Sequence, residues 1–248
     1  MHKAMPEAAP ILDQLVQKLQ AALKTNLISV VLYGSAAAGD RNRKFSDYNI
    51  LCILSQITPT DLRATEPLFR WWRETGNPAP LLLTDVEVRT ATDCFPIEFH
   101  DIREHNRILF GPDLVSEIAI DDSFYRAQVE HDLRAKLLRL RQKASGILSD
   151  KDVLRRLLID SVSTFCVLFS HALKLQGAGA TGGKRAIVKS AAEAFAIDPK
   201  PFEQLLDLRE EKVKAKEIEP EPLLAVYMQQ IEKVIGAVDR MPVTGGAN

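Results

Sequence analysis

The spacing of apolar and polar residues divides the chain into two halves. The first half mixes apolar runs of strand length with stretches of helical spacing, and the runs end at glycine, proline or polar residues. This pattern predicts helices over 11–23 and 58–75, a short helix that starts with a Thr84–Glu87 capping box, and strands over 27–33, 47–54, 81–83 and 95–102.

The second half contains no strong strand pattern. Its apolar residues recur every three to four positions, which is typical of helices that bury one face. Helices are predicted over 124–148, 150–176, 184–195, 200–216 and 220–239, and their short connections favour an antiparallel bundle. The expected fold class is α+β, with a small mixed β-sheet domain over 1–120, an all-α helical bundle over 121–240 and a flexible tail over 241–248.

Composition and charge narrow the function classes. Of the 248 residues, 46% are hydrophobic and 26% are charged, as in soluble globular proteins. The 32 Lys and Arg residues nearly balance the 33 Asp and Glu residues, so the broad basic field that drives non-specific nucleic-acid binding is missing. A nucleic-acid polymerase role is therefore not expected.

Targeting and redox features are sparse. No apolar run reaches the roughly 18 residues that a membrane-spanning helix needs, and residues 1–14 lack the features of a signal peptide. We therefore expect a cytoplasmic protein without membrane contact. The three cysteines are far apart, which argues against a disulfide framework or a structural zinc site.

A Gly-Ser pair follows the first predicted strand. Gly34 would let a ligand approach the backbone without a Cβ in the way, and the Ser35 hydroxyl and the turn amides can bind phosphate oxygens. Lys44 lies in the basic loop that follows and is a candidate phosphate contact, with a solvated loop as the alternative. Taken alone, a Gly-Ser pair after a strand is most often only a turn.

Acidic and amide side chains stand on the next two long strand candidates. On a strand, Asp47 and Asn49 share one face, so two oxygens there could hold a metal ion. Glu98 lies between two apolar residues and points away from them, and alternation places Asp101 on the face opposite Glu98. Each feature by itself has the simpler explanation of a polar strand position that faces water.

Together, these elements resemble the pattern of the nucleotidyltransferase superfamily, which has the DNA polymerase beta-like fold. Its members carry a hydrophobic-Gly-Ser turn, then a strand with Asp-hydrophobic-Asp/Glu, and later a third strand with hydrophobic-Asp/Glu-hydrophobic. The matching segments are 33–35, 47–49 and 97–99. The helical second half resembles that of bacterial small-molecule nucleotidyltransferases, including those that modify aminoglycosides.

The resemblance implies transfer of a nucleoside monophosphate, AMP from ATP, to an acceptor hydroxyl in the cleft between the domains. The acceptor would be a small molecule or a protein side chain. Gly34 and Ser35 would hold phosphates of the triphosphate, and Asp47, Asn49 and Glu98 would ligate Mg²⁺ or Mn²⁺. Glu98 would also take the proton of the acceptor hydroxyl.

Position 49 departs from the family pattern, because Asn49 stands where the family has a second metal-binding carboxylate. An asparagine is neutral, so the second metal ion should bind more weakly unless Asp101 substitutes, and Asn49→Asp should then tighten Mg²⁺ or Mn²⁺ binding. Two alternatives stay open. One is a nucleotide-binding or regulatory module without transfer activity, and the other is an interaction protein whose helical half pairs with a partner chain, for instance as a homodimer.

Overall fold

The computed structural model describes residues 9–37, 47–179 and 182–242. By their internal contacts, the residues form two compact units, 1–121 and 122–248. Each unit has its own secondary-structure elements and its own buried residues. Within the described residues, no helix is long and apolar enough to cross a membrane.

The first unit is built on a sheet. In the described residues its strands are β1 (Leu27–Tyr33), β2 (Asn49–Leu54), β3 (Leu81–Thr84) and β4 (Asn106–Phe110), in the order β3-β2-β1-β4. β1 is antiparallel to both of its neighbours, whereas β3 runs parallel to β2, so the sheet is mixed. The β-branched and leucine side chains of β1 are typical of a strand that is buried on both faces.

Helices cover both faces of this sheet. They are α1 (Ala9–Leu23), α2 (Pro59–Glu74), α3 (Asp85–Thr90) and α4 (Pro96–Glu104). α1 and α2 contribute Leu15, Leu19 and Trp72 to the core on one face. α3 and α4 contribute Val88 and Phe99 to the core on the other face.

Alternation along β1 and β2 decides which face each side chain occupies. The core beneath α1 and α2 takes the even-numbered residues Val30, Leu32, Ile50, Cys52 and Leu54. The core beneath α3 and α4 takes the odd-numbered residues Val31, Leu51 and Ile53. Tyr33 packs against this second core, and Asn49 pairs with Tyr33 across the two strands. The side chain of Asn49 therefore lies on the α4 face of the sheet.

The prediction of a strand over 95–102 is wrong, because this segment forms α4. The helix buries Pro96, Ile97, Phe99 and Ile102, a set that includes odd and even positions and that one strand face could not bury. Pro96 suits the first helical turn, where its missing N–H costs no hydrogen bond. The strand that follows, β4, is not among the predicted elements.

The second unit is helical throughout its described residues. Its helices are α5 (Tyr125–Ser145), α6 (Lys151–Leu175), α7 (Lys184–Phe195), α8 (Lys200–Arg209) and α9 (Pro220–Asp239). The ring of Tyr227 lies 5.7 Å from that of Phe165 and 5.0 Å from that of Phe202 in the core. α8 ends before the predicted limit of 216, and Glu211 beyond it has a left-handed φ of 57°. The predicted fold class, a small mixed sheet followed by an all-helical part, is confirmed.

Candidate functional site

The Gly-Ser turn closes the end of β1. Gly34 has a φ of +77°, which a residue with a side chain rarely adopts. Its N–H donates to the carbonyl of His105 at 2.9 Å, and its carbonyl accepts from the Ala37 N–H at 2.9 Å. The Gly34 amide is therefore used within the protein. A phosphate oxygen at this turn would have to meet other donors, such as the hydroxyl of the half-buried Ser35.

Asn49, the first residue of β2, lies directly beside this turn. It is the strand partner of Tyr33, and a Cβ on Gly34 would lie 3.1 Å from Asn49 Nδ2. Asn49 is half-buried, and its side-chain amide forms no hydrogen bond with a residue that the structure describes. The structure thus brings Gly34 and Asn49 into contact and leaves the amide of Asn49 with unused hydrogen-bonding capacity.

Asp47 precedes Asn49 by two residues and is exposed. The residue between them, Tyr48, is buried and anchors the chain. Its N–H donates to Asn77 Oδ1 at 2.9 Å, and its ring lies 6.2 Å from that of Trp72. These contacts hold Asp47 at the same end of the sheet as the Gly34 turn, with its carboxylate open to solvent.

Glu98 and Asp101 lie on α4 and not on a strand. Residues three apart on a helix share a face, so these carboxylates lie on the same side, whereas strand alternation would separate them. Burial raises the pKa of the Tyr33 phenol above its usual value, and the charges of Glu98 and then Asp101 raise it further. Both carboxylates therefore lie near Tyr33, on the face of the sheet that carries Asn49.

Few described carboxylates lie beside the Gly34 turn, and Asp47 is the exposed one. β2 lies between β1 and β3, and β3 contains only leucines and a threonine, so this neighbouring strand offers no third carboxylate. Among residues 9–37, 47–179 and 182–242, no group of three His, Cys, Asp or Glu side chains could hold a metal ion. Mg²⁺ often needs only one or two protein carboxylates when substrate phosphates supply further oxygens, and the exposed Asp47 can be one of them.

Some residues of interest differ from the sequence candidates. Lys44 belongs to the segment 38–46, which lies outside the described residues. Tyr33 and Asn77 were not candidates, although both contact the site elements. Tyr33 immediately precedes Gly34, so the motif itself could have indicated it. Asn77 is distant from β2 in sequence, and only the fold brings it to Tyr48.

A cavity of about 560 Å³ lies at the other end of the sheet. Its lining comes from α3 and from residues 113–119, which follow β4. Thr84, at the end of β3, pairs with Leu54, and Leu54 pairs with Leu27 at the start of β1. The cavity is therefore separated from the Gly34 turn by the length of β1, and no described site candidate lines it.

The fold is α+β, with a small mixed sheet followed by a helical part, and it is shared with a solved structure. A similar solved structure is the spectinomycin adenyltransferase AAD(9) from Enterococcus faecialis, with ATP and spectinomycin. The match covers 93% of this chain and 99% of that chain, with a TM-score of 0.61 and 15% sequence identity. No family model and no curated protein matches the sequence. The similarity at this identity establishes the fold.

Proposed function

We propose that the chain is a nucleotidyltransferase that moves a nucleoside monophosphate, AMP from ATP, onto a hydroxyl of a small molecule or a protein. The observation that carries the proposal is the contact between the Gly34 turn and Asn49, with Asp47 exposed at the same end of the sheet. A glycine turn and an exposed carboxylate placed in this way can hold a triphosphate and its metal ion. The adenyltransferase with a similar fold, whose structure contains ATP, supports ATP as the donor.

The Gly34 turn and Asp47 bind the triphosphate. The Ser35 hydroxyl donates to a phosphate oxygen, and Gly34 leaves room for that oxygen because it has no Cβ. Asp47 would hold Mg²⁺ or Mn²⁺, and the ion would screen the charge of the triphosphate. Lys44 is a further candidate for a phosphate contact from its sequence position.

In the transfer, the acceptor hydroxyl oxygen forms a bond to the α-phosphorus. The bond from the α-phosphorus to the bridging oxygen breaks, and pyrophosphate leaves. The hydroxyl proton needs a base, and we assign this role to Glu98, with Asp101 as its substitute, because both carboxylates lie near Tyr33 on the Asn49 face. Most of the rate comes from positioning and charge stabilisation.

Calorimetric titration with ATP, in Mg²⁺ and in EDTA, tests the nucleotide site without knowledge of the acceptor. We expect wild-type binding that Mg²⁺ tightens, and a loss of about tenfold or more in Mg²⁺ for Asp47→Ala. Asp13→Ala is the matched control, since Asp13 is an exposed aspartate of α1. A wild type that does not bind ATP at millimolar concentration would contradict the proposal. An ATP affinity of Asp47→Ala equal to that of the wild type would show that Asp47 is not part of the site.

A second candidate function is nucleotide binding without transfer. It is favoured by the neutral Asn49 and by the absence of a carboxylate from β3. Pyrophosphate release separates the two functions. A transferase releases pyrophosphate from ATP when a panel of hydroxyl acceptors includes a substrate, and Glu98→Gln should slow that release while ATP affinity is kept. A binding module binds ATP but releases no pyrophosphate, whichever acceptor is added.

A further inference from the structure

We propose that Asn49 binds the nucleotide as a hydrogen-bond donor to a phosphate oxygen beside the Gly34 turn, and not as a metal ligand. The inference rests on the proposed function, because it assigns a role within the same nucleotide site. It replaces the role that the sequence pattern gives to position 49, where a carboxylate would bind metal.

The donor end of the Asn49 amide faces the turn. Nδ2 lies 3.1 Å from the place that a Cβ of Gly34 would occupy, so the empty space left by this glycine adjoins an N–H donor. An amide nitrogen donates hydrogen bonds, whereas a cation is ligated by the amide oxygen. The atom of Asn49 that faces the turn therefore suits an anion.

Two backbone donors of this turn are already used within the protein. The Gly34 N–H donates to the His105 carbonyl, and the Ala37 N–H donates to the Gly34 carbonyl. The Asn49 amide has no hydrogen-bond partner among the described residues although the residue is half-buried. The amide therefore keeps its hydrogen-bonding capacity for a ligand, and a phosphate oxygen at the turn can accept from it.

Carboxylates already lie on the side of the sheet that carries Asn49. Glu98 and Asp101 act on Tyr33, which is the strand partner of Asn49 on the same face of the sheet. Asp47 adds a third carboxylate two residues away. A further carboxylate at position 49 would repel the triphosphate, whereas a neutral donor attracts it. The asparagine thus lets a triphosphate approach with a single metal ion.

The affinity of Asn49→Ala and Asn49→Asp for ATP, measured by calorimetry in Mg²⁺ and in EDTA, tests the donor role. Asn49→Ala is expected to bind ATP about tenfold more weakly than the wild type in both buffers, because a donor to a charged group is lost. Asn49→Asp is expected to lose more than Asn49→Ala, with the larger loss in EDTA, where no cation offsets the added charge.

The outcomes separate the inference from the function on which it rests. Tighter ATP binding by Asn49→Asp in Mg²⁺ would overturn the inference and make position 49 a metal-ligand position. An ATP affinity of Asn49→Ala equal to that of the wild type would also overturn the inference. The proposed function would still stand in that case, because the wild type binds ATP. A wild type that binds no ATP in either buffer would overturn both.

Asn77→Asp is the matched control for the added charge. Asn77 lies beside the start of β2, and its Oδ1 accepts from the Tyr48 N–H at 2.9 Å, a bond that an aspartate oxygen keeps. The aspartate loses only the exposed bond from Nδ2 to the Thr75 hydroxyl. We expect its ATP affinity to stay within about threefold of the wild type. Equal losses in Asn77→Asp and Asn49→Asp would attribute the effect to charge alone and contradict the donor role. Thermal melting of each variant checks that the fold is kept.

Discussion

The two ends of the sheet in the first unit use the same residue types in opposite ways. At one end, Gly34 follows β1 with a φ of +77°, and Asn49 beside it has no hydrogen-bond partner among the described residues. At the other end, Gly111 follows β4 with a φ of +78°, and Asn26 precedes β1. The backbone requirement for glycine is the same at both ends, but the neighbours differ.

At the Gly111 end, the neighbours are used by the protein itself. Asn26 Nδ2 donates to the Gln56 carbonyl at 3.0 Å and to Asp61 Oδ1 at 2.9 Å. Its Oδ1 accepts from the Gln56 N–H at 3.1 Å and from the Ser55 hydroxyl at 2.5 Å. An amide with four partners fixes the fold, whereas an amide without a described partner is available to a ligand. The comparison therefore indicates a structural role for the Gly111 end and supports the proposed binding role of the Gly34 end.

The largest effect is expected from Gly111→Ala, at about 3–5 kcal/mol of unfolding free energy. The new Cβ would lie 2.0 Å from the Ile28 carbonyl oxygen, which belongs to the backbone and cannot rotate away. Urea denaturation followed by circular dichroism measures the loss. A change below about 1 kcal/mol would show that β4 can shift away from β1, and the distinction between the two ends would fail.

The two asparagines offer a matched pair of truncations. Asn26→Ala should lower the unfolding free energy by about 1–2 kcal/mol, because four hydrogen bonds are lost and water can replace the amide at only the exposed ones. Asn49→Ala should stay within about 0.5 kcal/mol of the wild type, because no described hydrogen bond is lost. Chemical denaturation of both variants gives the difference, and equal losses would contradict the comparison.

Gly34→Ala should cost less stability than Gly111→Ala, about 1–2 kcal/mol from the left-handed φ alone. Among the described residues, the added methyl group would meet only the Asn49 side-chain amide, which can move, at 3.1 Å. That movement should weaken ATP binding in calorimetry, so this variant would lose more affinity than stability. A Gly34→Ala protein that is destabilised as strongly as Gly111→Ala would indicate that the turn is structural.

The smallest expected effect is a change in how the unfolding free energy depends on pH in the acid range. Hydrogen bonds from the Thr58 side chain and backbone, and from Asn26, hold the pKa of the Asp61 carboxyl below its usual value. The folded protein therefore binds this proton less readily than the unfolded chain does. The resulting stability is present above the ordinary aspartate pKa and is lost as the pH falls through the lower folded value.

Asp61→Asn removes this titration. Its unfolding free energy should depend less on pH in the acid range than that of the wild type, as measured by denaturant melts at a series of pH values. Wild-type and variant curves that run parallel through that range would show that Asp61 does not link folding to protonation.

Local sequence patterns predicted the centre of the sheet because they depend on short-range chemistry. A run of β-branched and leucine residues that ends at a glycine formed β1 and its turn over the predicted range. The same approach failed at α4, where Phe95, Ile97 and Phe99 fit a strand. Packing decides this segment, since the helix also buries Pro96 and Ile102.

The site shows the same limit. Gly34, Asp47 and Asn49 could be selected from the motif, because they lie within one short stretch of chain around two strands. The location of Glu98 and Asp101 on a common face depends on α4 being a helix, so strand alternation gave the wrong answer. The placement of Asn49 beside Gly34 depends on the pairing of β2 with β1, which no spacing in the sequence encodes.

The hydrogen bond from the Gly34 N–H to the His105 carbonyl has a kinetic consequence. His105 directly follows α4, so the turn cannot separate from the end of that helix until this bond opens. The rate at which the Gly34 amide proton exchanges for deuterium therefore reports how often this end of the sheet opens. Slow exchange of the Gly34 amide proton would mean that the Gly34 turn is formed before any nucleotide binds. Fast exchange would mean that the turn forms only when the nucleotide binds.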